Sequence, residues 1–545
     1  MTEKEFLRAV KGADRRFFKM AADRAADPQA FAAKYGAGGT RKMKSAEKKH
    51  HKKLAWGVVL AAALVGGGGI AAAVAMRGDF GIVSEESRDM RSMVEEQHAE
   101  ALSLNLTDQQ WNAMQSDSYG STGYGCAFPT ENGWYHSYDE TAAPSDGELG
   151  EEFFEAQEEL YPTKLYLENL PLMFCDGETG EDVPLCARPN CLHDGSIYCE
   201  ATSNTYRRSD PVCVDGVIYA SALKTLNFDE LKSDGTVPKK TTAVLLSYAP
   251  DDTGITELCT FGEQYTDVIC TPVVHRGYVF CIFMKINPLE YDAAGFVTKS
   301  DSGYAILGYE IATGKATEIY SCMPKAGSGI KQDAPWTFSA GGDYLFYSIG
   351  NVKWQNINKQ GIYALNLTDG SHKQLVDKEA VFAVSGSKVY YTDFDATPNK
   401  VKSTDAATGE TETLYNGSLS YSVTDGTCIY SAEADYSREV MSYFVRVLDM
   451  TGKEVASLRV PDHQCVRRIM VFGDTVAVIT DAVIAEYQGQ IQETSAIIAK
   501  DAAVLSCSRE ALLAGSAEWE QACTLMKMHE IDMEAWRAEH PETEE

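Results

Sequence analysis

Seven times between Gly133 and Val478 a turn glycine precedes a short run of β-branched or aromatic residues. The instances are Gly133-Trp134-Tyr135, Gly216-Val217-Ile218-Tyr219, Gly277-Tyr278-Val279-Phe280, Gly342 to Tyr347, Gly386 to Tyr391, Gly426 to Tyr430 and Gly473 to Val478. A second pattern follows six of them: an apolar strand, a polar turn ending in glycine, and another strand. Its turns are Glu178-Thr179-Gly180, Asp252-Thr253-Gly254, Ala312-Thr313-Gly314, Thr368-Asp369-Gly370, Ala407-Thr408-Gly409 and Met450-Thr451-Gly452; Gly515-Ser516 is the candidate in the seventh unit. Glycine after a polar residue supplies the positive φ that a tight hairpin needs. The leading glycines are 83, 61, 65, 44, 40 and 47 residues apart. The later spacings suit one four-stranded blade of about 40–50 residues. The earlier excess reads as loop insertion at 187–211, 224–240 and 284–303. Seven such units without long helices between them predict a ring, which protects strand edges by radial repetition. The expected fold is therefore mainly β, a seven-bladed β-propeller over residues 116–526. Two stacked β-sandwiches are the alternative.

Ahead of the repeat, Leu54 to Met76 is a run of 23 residues without a charge. As a helix it would be roughly 34 Å long, enough to cross a bilayer core of about 30 Å. Lys48-Lys49-His50-His51-Lys52-Lys53 precedes it, and Asp79, Glu85, Glu86 and Asp89 follow. The basic flank stays inside, so the expected topology is a single-pass, retained signal-anchor at the cell membrane with a cytoplasmic N-terminus. The apolar run is too long, and the 53 residues before it too many, for a cleaved signal peptide. Residues 77–115, with Met90, Met93 and Val94 among charges, read as a helical stalk.

Charge divides at the same place. Residues 1–53 hold 15 Lys and Arg against 6 Asp and Glu, while the whole chain carries −30, which leaves the other 492 residues at −39. So acidic a body repels phosphate, and nucleic acid is excluded as a partner. In the tail, Thr2 and Glu5 have capping-box spacing. Phe6, Val10 and Phe17 then recur at helical intervals between basic residues, a face suited to a cytoplasmic protein partner or to anionic lipid. The order of this tail, from Glu5-Phe6-Leu7-Arg8-Ala9-Val10 through Ala13-Asp14 to the lysine-rich stretch and Trp56, resembles the N-termini of membrane-anchored, anti-sigma-like regulators of Gram-positive anaerobes. Residues 527–545, with Trp536 in an acidic run, read as a C-terminal tail.

All 14 cysteines lie between Cys126 and Cys523, beyond the apolar run. That placement fits an oxidisable, extracytoplasmic compartment. Cys186, Cys191, His193 and Cys199 form a C-x4-C-x-H-x5-C loop, with Cys175 upstream. Three chemistries suit it. Disulfides among Cys175, Cys186, Cys191 and Cys199 would pin the loop, with Cys175 and Cys186 facing each other across the Gly180 hairpin. Three thiolates and one imidazole would hold zinc, the one cofactor the sequence suggests, although the spacing is not that of a zinc knuckle. Unpaired thiols are the third. The run from Asp176 through Pro184-Leu185-Cys186, Pro189-Asn190-Cys191-Leu192-His193-Asp194 and Cys199-Glu200-Ala201 resembles a segment of single-pass, membrane-anchored β-propeller proteins of anaerobic Gram-positive bacteria. That group has no established activity, so the resemblance implies fold and location and assigns no catalytic residue.

No H-E-x-x-H, G-x-x-x-x-G-K, G-x-S-x-G or EF-hand loop occurs in the sequence. The expected function is a non-enzymatic binding or sensing module outside the cytoplasm, taking a cell-wall fragment or a basic protein. A structural cell-surface protein with the tail as mere anchor is the alternative, and a propeller hydrolase or lyase a third.

Overall fold

The computed structural model describes residues 127–540 with breaks, chiefly at 146–150, 161–171, 187–205, 228–236, 249–254, 351–359 and 489–492, together with 94–97 and 116–117. Its described residues form seven sheets with antiparallel cores and one two-stranded ribbon. Blade 1 consists of Ala127–Pro129, Gly133–Ser137, Leu172–Asp176 and Asp182–Pro184. In blades 2 and 3 the innermost strand is split in two. Tyr206–Arg208 and Val212–Val214 both pair with Val217–Thr225, and Tyr265–Val268 and Val273–His275 both pair with Tyr278–Tyr291. Pro211 and Pro272 stand in the two breaks, where a residue without an N–H cannot continue a ladder. Blades 4, 5 and 6 follow as four-stranded meanders starting at Thr337–Gly341, Phe382–Ser385 and Tyr421–Thr424. Blade 7 comprises Val466–Phe472, Thr475–Thr480, Ala502–Ser508 and Glu520–Ile531. The chain is a seven-bladed β-propeller.

Apolar seams between successive blades close the ring. Phe128 and Leu172 of blade 1 pack with Ile218 and Val244 of blade 2, and Tyr219 and Leu245 of blade 2 with Phe283 and Leu307 of blade 3. The series runs on through Tyr304 against Tyr347, Phe346 against Phe382, Tyr390 against Ile429, and Val445 against Val476. It returns to its start where Ala127 and Cys175 of blade 1 meet Ala477 and Val504 of blade 7.

Six of the seven leading glycines sit at the turn into, or at the start of, a blade's second strand, and Gly216 lies outside the described residues. In blades 1, 3, 4 and 5 the turns after the third strand share one geometry, with Gly180, Gly314, Gly370 and Gly409 N each donating to the carbonyl four residues back. In blades 1 and 5 the side chain of Asp176 or Asp405 accepts from backbone N–H groups two and three residues on, and Gly180 and Gly409 close the turn at φ of 69° and 78°. That is an Asx turn followed by the left-handed residue only glycine adopts freely. Gly515, at φ 72°, follows a short helix, Arg509–Leu513, in the corresponding connection of blade 7.

A clasp spans the closing seam. Asp139–Pro144, inserted after the second strand of blade 1, pairs in parallel with Glu520–Ile531 on the outside of blade 7. The insertion goes on into a helix, Glu151–Leu160, whose Phe153 and Ala156 pack with Ala142, Ile531 and Met533. A C-terminal helix, Met533–Glu539, lies over them, with Asp532 accepting from Ala535 N as its N-cap. The last strand of blade 7 therefore crosses the boundary drawn at 526, and part of the expected tail is ordered against the ring.

Two other expectations change. Residues 284–303 are no loop: the second and third strands of blade 3 extend to Tyr278–Tyr291 and Val297–Glu310, 14 residues each, as a projecting hairpin. Within the expected helical stalk, Val94–Gln97 is a strand paired with Ser321–Pro324 on the outer edge of blade 3. An outer strand presents unpaired N–H and C=O groups, and the segment satisfies them. Ser116–Asp117 likewise pairs with Thr337 and Phe338, on the inner side of blade 4. The apolar run 54–76, the tail with Phe6, Val10 and Phe17, and the Asp252 turn lie outside the described residues. Among the described residues no helix is long and apolar enough to cross a membrane.

Candidate functional site: the cleft between blades 1 and 7

Among the described residues, the antiparallel meanders put the tight turns on one face of the ring and the longer connections on the other. On the turn face, at the closing seam, lies a broad cleft of about 1040 Å³. The first turn of blade 1 contributes Thr130, Asn132 and Trp134. Its second turn contributes Asp176 and Glu178, and the start of the outer strand of blade 7 contributes Glu520 and Gln521. Trp134 and Phe174 give the cleft an aromatic wall, and three carboxylates stand along it.

Local chemistry holds these groups in place. The Thr130 Oγ1 donates to Gly133 O at 3.0 Å and accepts from Asn132 N, which fixes the turn that presents Trp134. Asp176 accepts through Oδ1 from Glu178 N, Thr179 N and Thr179 Oγ1 at 3.0, 2.8 and 3.0 Å. The Thr179 bonds, with that from Glu178, hold the Asp176 carboxyl below its ordinary range, so it stays ionised beside the cleft. Gly133 allows a close approach of two strands: a Cβ there would stand 2.1 Å from Cys175 O.

The Cys/His loop leaves from the cleft's rim. Leu185 lines the cleft and Cys186 follows it; Cys191, His193 and Cys199 lie outside the described residues. Among the described residues no cluster of three or more His, Cys, Asp or Glu is arranged to hold a metal ion. The expected Cys175–Cys186 bridge does not form. Register places Cys175 opposite Asp182, and Cys175 is a free thiol whose Sγ lies 3.7 Å from Ala522 O of blade 7. A period-two strand turns this side chain into the seam and away from the hairpin's other arm.

Cys175, Asp182 and His136 lie in sequence around this strand pair, with His136 Nε2 2.9 Å from Asp182 Oδ1. Nucleophilic catalysis needs the imidazole against the sulfur. Here the carboxylate stands between them, and burial followed by the Asp182 charge pushes the thiol up to about 11. The group is a buried structural thiol, not a nucleophile.

A second polar constellation lies between blades 3 and 4. Tyr304 and Tyr347 share a hydrogen bond at 3.0 Å, Tyr347 bonds to His372 Nε2, and His372 Nδ1 is 3.4 Å from Tyr320. Tyr363 stacks on the imidazole at 5.2 Å. Tyr304, Tyr320 and Tyr347 are fully buried, and burial raises the Tyr304 pKa well above the usual tyrosine value. This rod of rings rigidifies the seam.

The sequence named the turns that build the cleft without naming the cleft. Trp134 appeared only as part of a strand run, and nothing marked Glu520 or Gln521, almost 400 residues away.

No protein-family model matches the chain, and none of the curated proteins does. Among solved structures it is similar to an oligogalacturonate lyase from Vibrio parahaemolyticus, at 11% identity, covering 68% of this chain and 95% of that one with a TM-score of 0.35. TolB from Acinetobacter baumannii is 11% identical over 74% of this chain and 82% of its own, with a TM-score of 0.28. An acylaminoacyl peptidase is 10% identical, and the match spans 59% of this chain but only 53% of the peptidase, with a TM-score of 0.33.

Proposed function

We propose that this chain is a membrane-anchored binding module. Its propeller stands outside the cytoplasm and seats a basic polypeptide segment in the cleft between blades 1 and 7. The observation that carries the reading is the pairing of Trp134 with the carboxylates of Asp176, Glu178 and Glu520 around one open cleft. An aromatic face and nearby anions both favour a lysine or arginine head group. The −39 charge of the body after residue 53 adds long-range attraction for such a ligand. The apolar run Leu54 to Met76 and its basic flank support the anchor and its direction.

Full-length protein in nanodiscs, titrated calorimetrically with arginine- and lysine-rich peptides, tests this reading. Binding that weakens with added salt and falls at least about tenfold in a Trp134→Ala, Glu520→Gln double variant is expected. No binding, or equal binding by the variant, would dismiss the cleft.

The basic tail 1–53, with Phe6, Val10 and Phe17 on one helical face, supports a contact with a cytoplasmic regulator. Crosslinking from native membranes with the full chain and with a form lacking residues 2–45 distinguishes a signalling tail from an anchor. A regulator captured by the full chain alone marks signalling; identical captures mark an anchor.

A further inference from the structure

We propose that the tip of the blade 3 hairpin rests on the bilayer that the chain's own anchor enters, so that the loop face of the propeller meets the membrane and the turn face, with the cleft, points away. This rests on the anchored reading above and adds an orientation to it.

The blade ends where Tyr265 pairs with Lys285 and where Tyr304 pairs with Cys322. The paired stretch from Ile286↔Ser302 to Tyr291↔Val297 stands beyond it. At about 3.3 Å per residue the tip rises roughly 17 Å above the base. The base is braced. Asp301, 1% exposed, accepts from Gly327 N at 2.6 Å, Gly329 N at 2.7 Å and Ser328 Oγ at 3.1 Å. Ser302 N donates to Ile330 O, and Gln332 N to Ser302 O.

At the tip the apolar side chains are turned outward. Tyr291 is 60% exposed, Phe296 38% and Val297 42%. Leu226, 47% exposed, stands on the adjoining connection of blade 2, whose Pro238 side chain approaches Gly295. Among the described residues the other exposed large apolar side chains, among them Val183, Ile311, Phe394 and Val455, belong to other turns and strands. Exposed lysines surround this corner: Lys239, Lys240, Lys299, Lys325 and Lys331. Among the described residues three exposed carboxylates stand against these five, Glu263, Glu290 and Asp292, a local excess of two positive charges on a chain of −30. An apolar tip ringed by cations suits an anionic lipid surface, with tyrosine and lysine keeping their polar ends in the head groups.

The tether ends at the same corner. Val94 pairs with Pro324, two residues beyond the Cys322 that marks the end of the blade, so the chain arriving from the apolar run joins at the level of the hairpin's base. Residues 77–93 are 17 residues, at most about 60 Å when extended, which comfortably includes the rise of the tip.

The test places a fluorescent amino acid at position 296, and separately at Val455, 43% exposed on blade 6, in the full chain. Each form is reconstituted in phosphatidylcholine–phosphatidylglycerol vesicles, roughly two to one, carrying head-group spin labels. At least twofold quenching at 296 and none at 455, relieved by Tyr291→Ser with Val297→Ser, is expected. Absence of quenching at 296 in protein that survives an alkaline wash overturns the orientation and leaves the anchor standing. Protein released by that wash overturns both.

Discussion

Arg537 donates through Nε to the Glu152 carboxylate at 2.6 Å, joining the last helix of the chain to a helix inserted in the first blade. The pair marks how this ring closes. Each blade takes its four strands from one continuous stretch, so no exchanged strand locks the ends together. The lock is added from outside, by Asp139–Pro144 in parallel with Glu520–Ile531 and by two helices over the join.

Packing and not charge carries that lock. Met533 is fully buried, whereas Arg537 and Glu152 are each 40% exposed. Met533→Ala should destabilise the fold by about 2–5 kcal/mol. Arg537→Ala should cost at most about 1 kcal/mol. Denaturant midpoints of the two variants check the order; an equal or reversed effect would show that the clasp is electrostatic.

The repeat was legible because both its signals are local. A left-handed glycine at Gly386 or Gly426, followed by Val389-Tyr390-Tyr391 or Ile429-Tyr430, marks a blade without reference to any other residue. The clasp left no such mark. Asp139–Pro144 is acidic and alanine-rich, reads as loop, and becomes a strand only because blade 7 offers it an edge. The same holds for Val94–Gln97, where a charged stretch reads as helix and the open edge of blade 3 decides otherwise. The cleft was hidden for a related reason: Trp134 and Glu520 meet only through ring closure.

His275 should make the ring acid-sensitive. Its Nε2 is 2.8 Å from Gly342 O on blade 4, and a carbonyl can only accept, so Nε2 carries the hydrogen and Nδ1 is bare. That Nδ1 is buried without a partner. Burial lowers the His275 pKa below 6.5; neighbouring Arg276 adds to the effect and Asp343 opposes it. The unfolded chain therefore binds a proton that the native ring refuses, and stability falls as pH drops below about 6.5. His275→Gln should flatten this part of the profile between about pH 7 and pH 5. An unchanged slope in urea midpoints would assign the acid response elsewhere.

Six of the described cysteines should behave as shielded thiols. Burial pushes Cys465 and Cys507 up to about 11 and Cys259 up to about 12, and it raises Cys281 and Cys428 as well. With Cys175 these are six thiols that iodoacetamide should label slowly in native protein near pH 8. Unfolding without reductant should release all six for rapid labelling. Peptide mapping that finds any of them bridged after unfolding would restore the disulfide reading for that position.

Gly303 ties the projecting hairpin to its blade. A Cβ there would stand 1.9 Å from Cys322 O and 3.0 Å from Met323 Sδ. Thioether atoms can move aside, but the carbonyl belongs to the neighbouring strand of the ladder. Gly303→Ala must therefore part Val297–Glu310 from Lys315–Pro324 at the hairpin's base, a cost of about 1–3 kcal/mol. Gly409→Ala is the control: its Cβ meets nothing within 4 Å, and only the φ of 78° is unfavourable, at about 1 kcal/mol. Because Cys322 Sγ also bonds to Gln332 Oε1, the disturbance should spread into the loop that holds Asp301. Hydrogen exchange in Gly303→Ala should accelerate at Ser321–Met323 and Ser328–Gln332 while the Gly409 turn stays protected. Uniform acceleration would mean that the hairpin's base is not a separate unit of the blade.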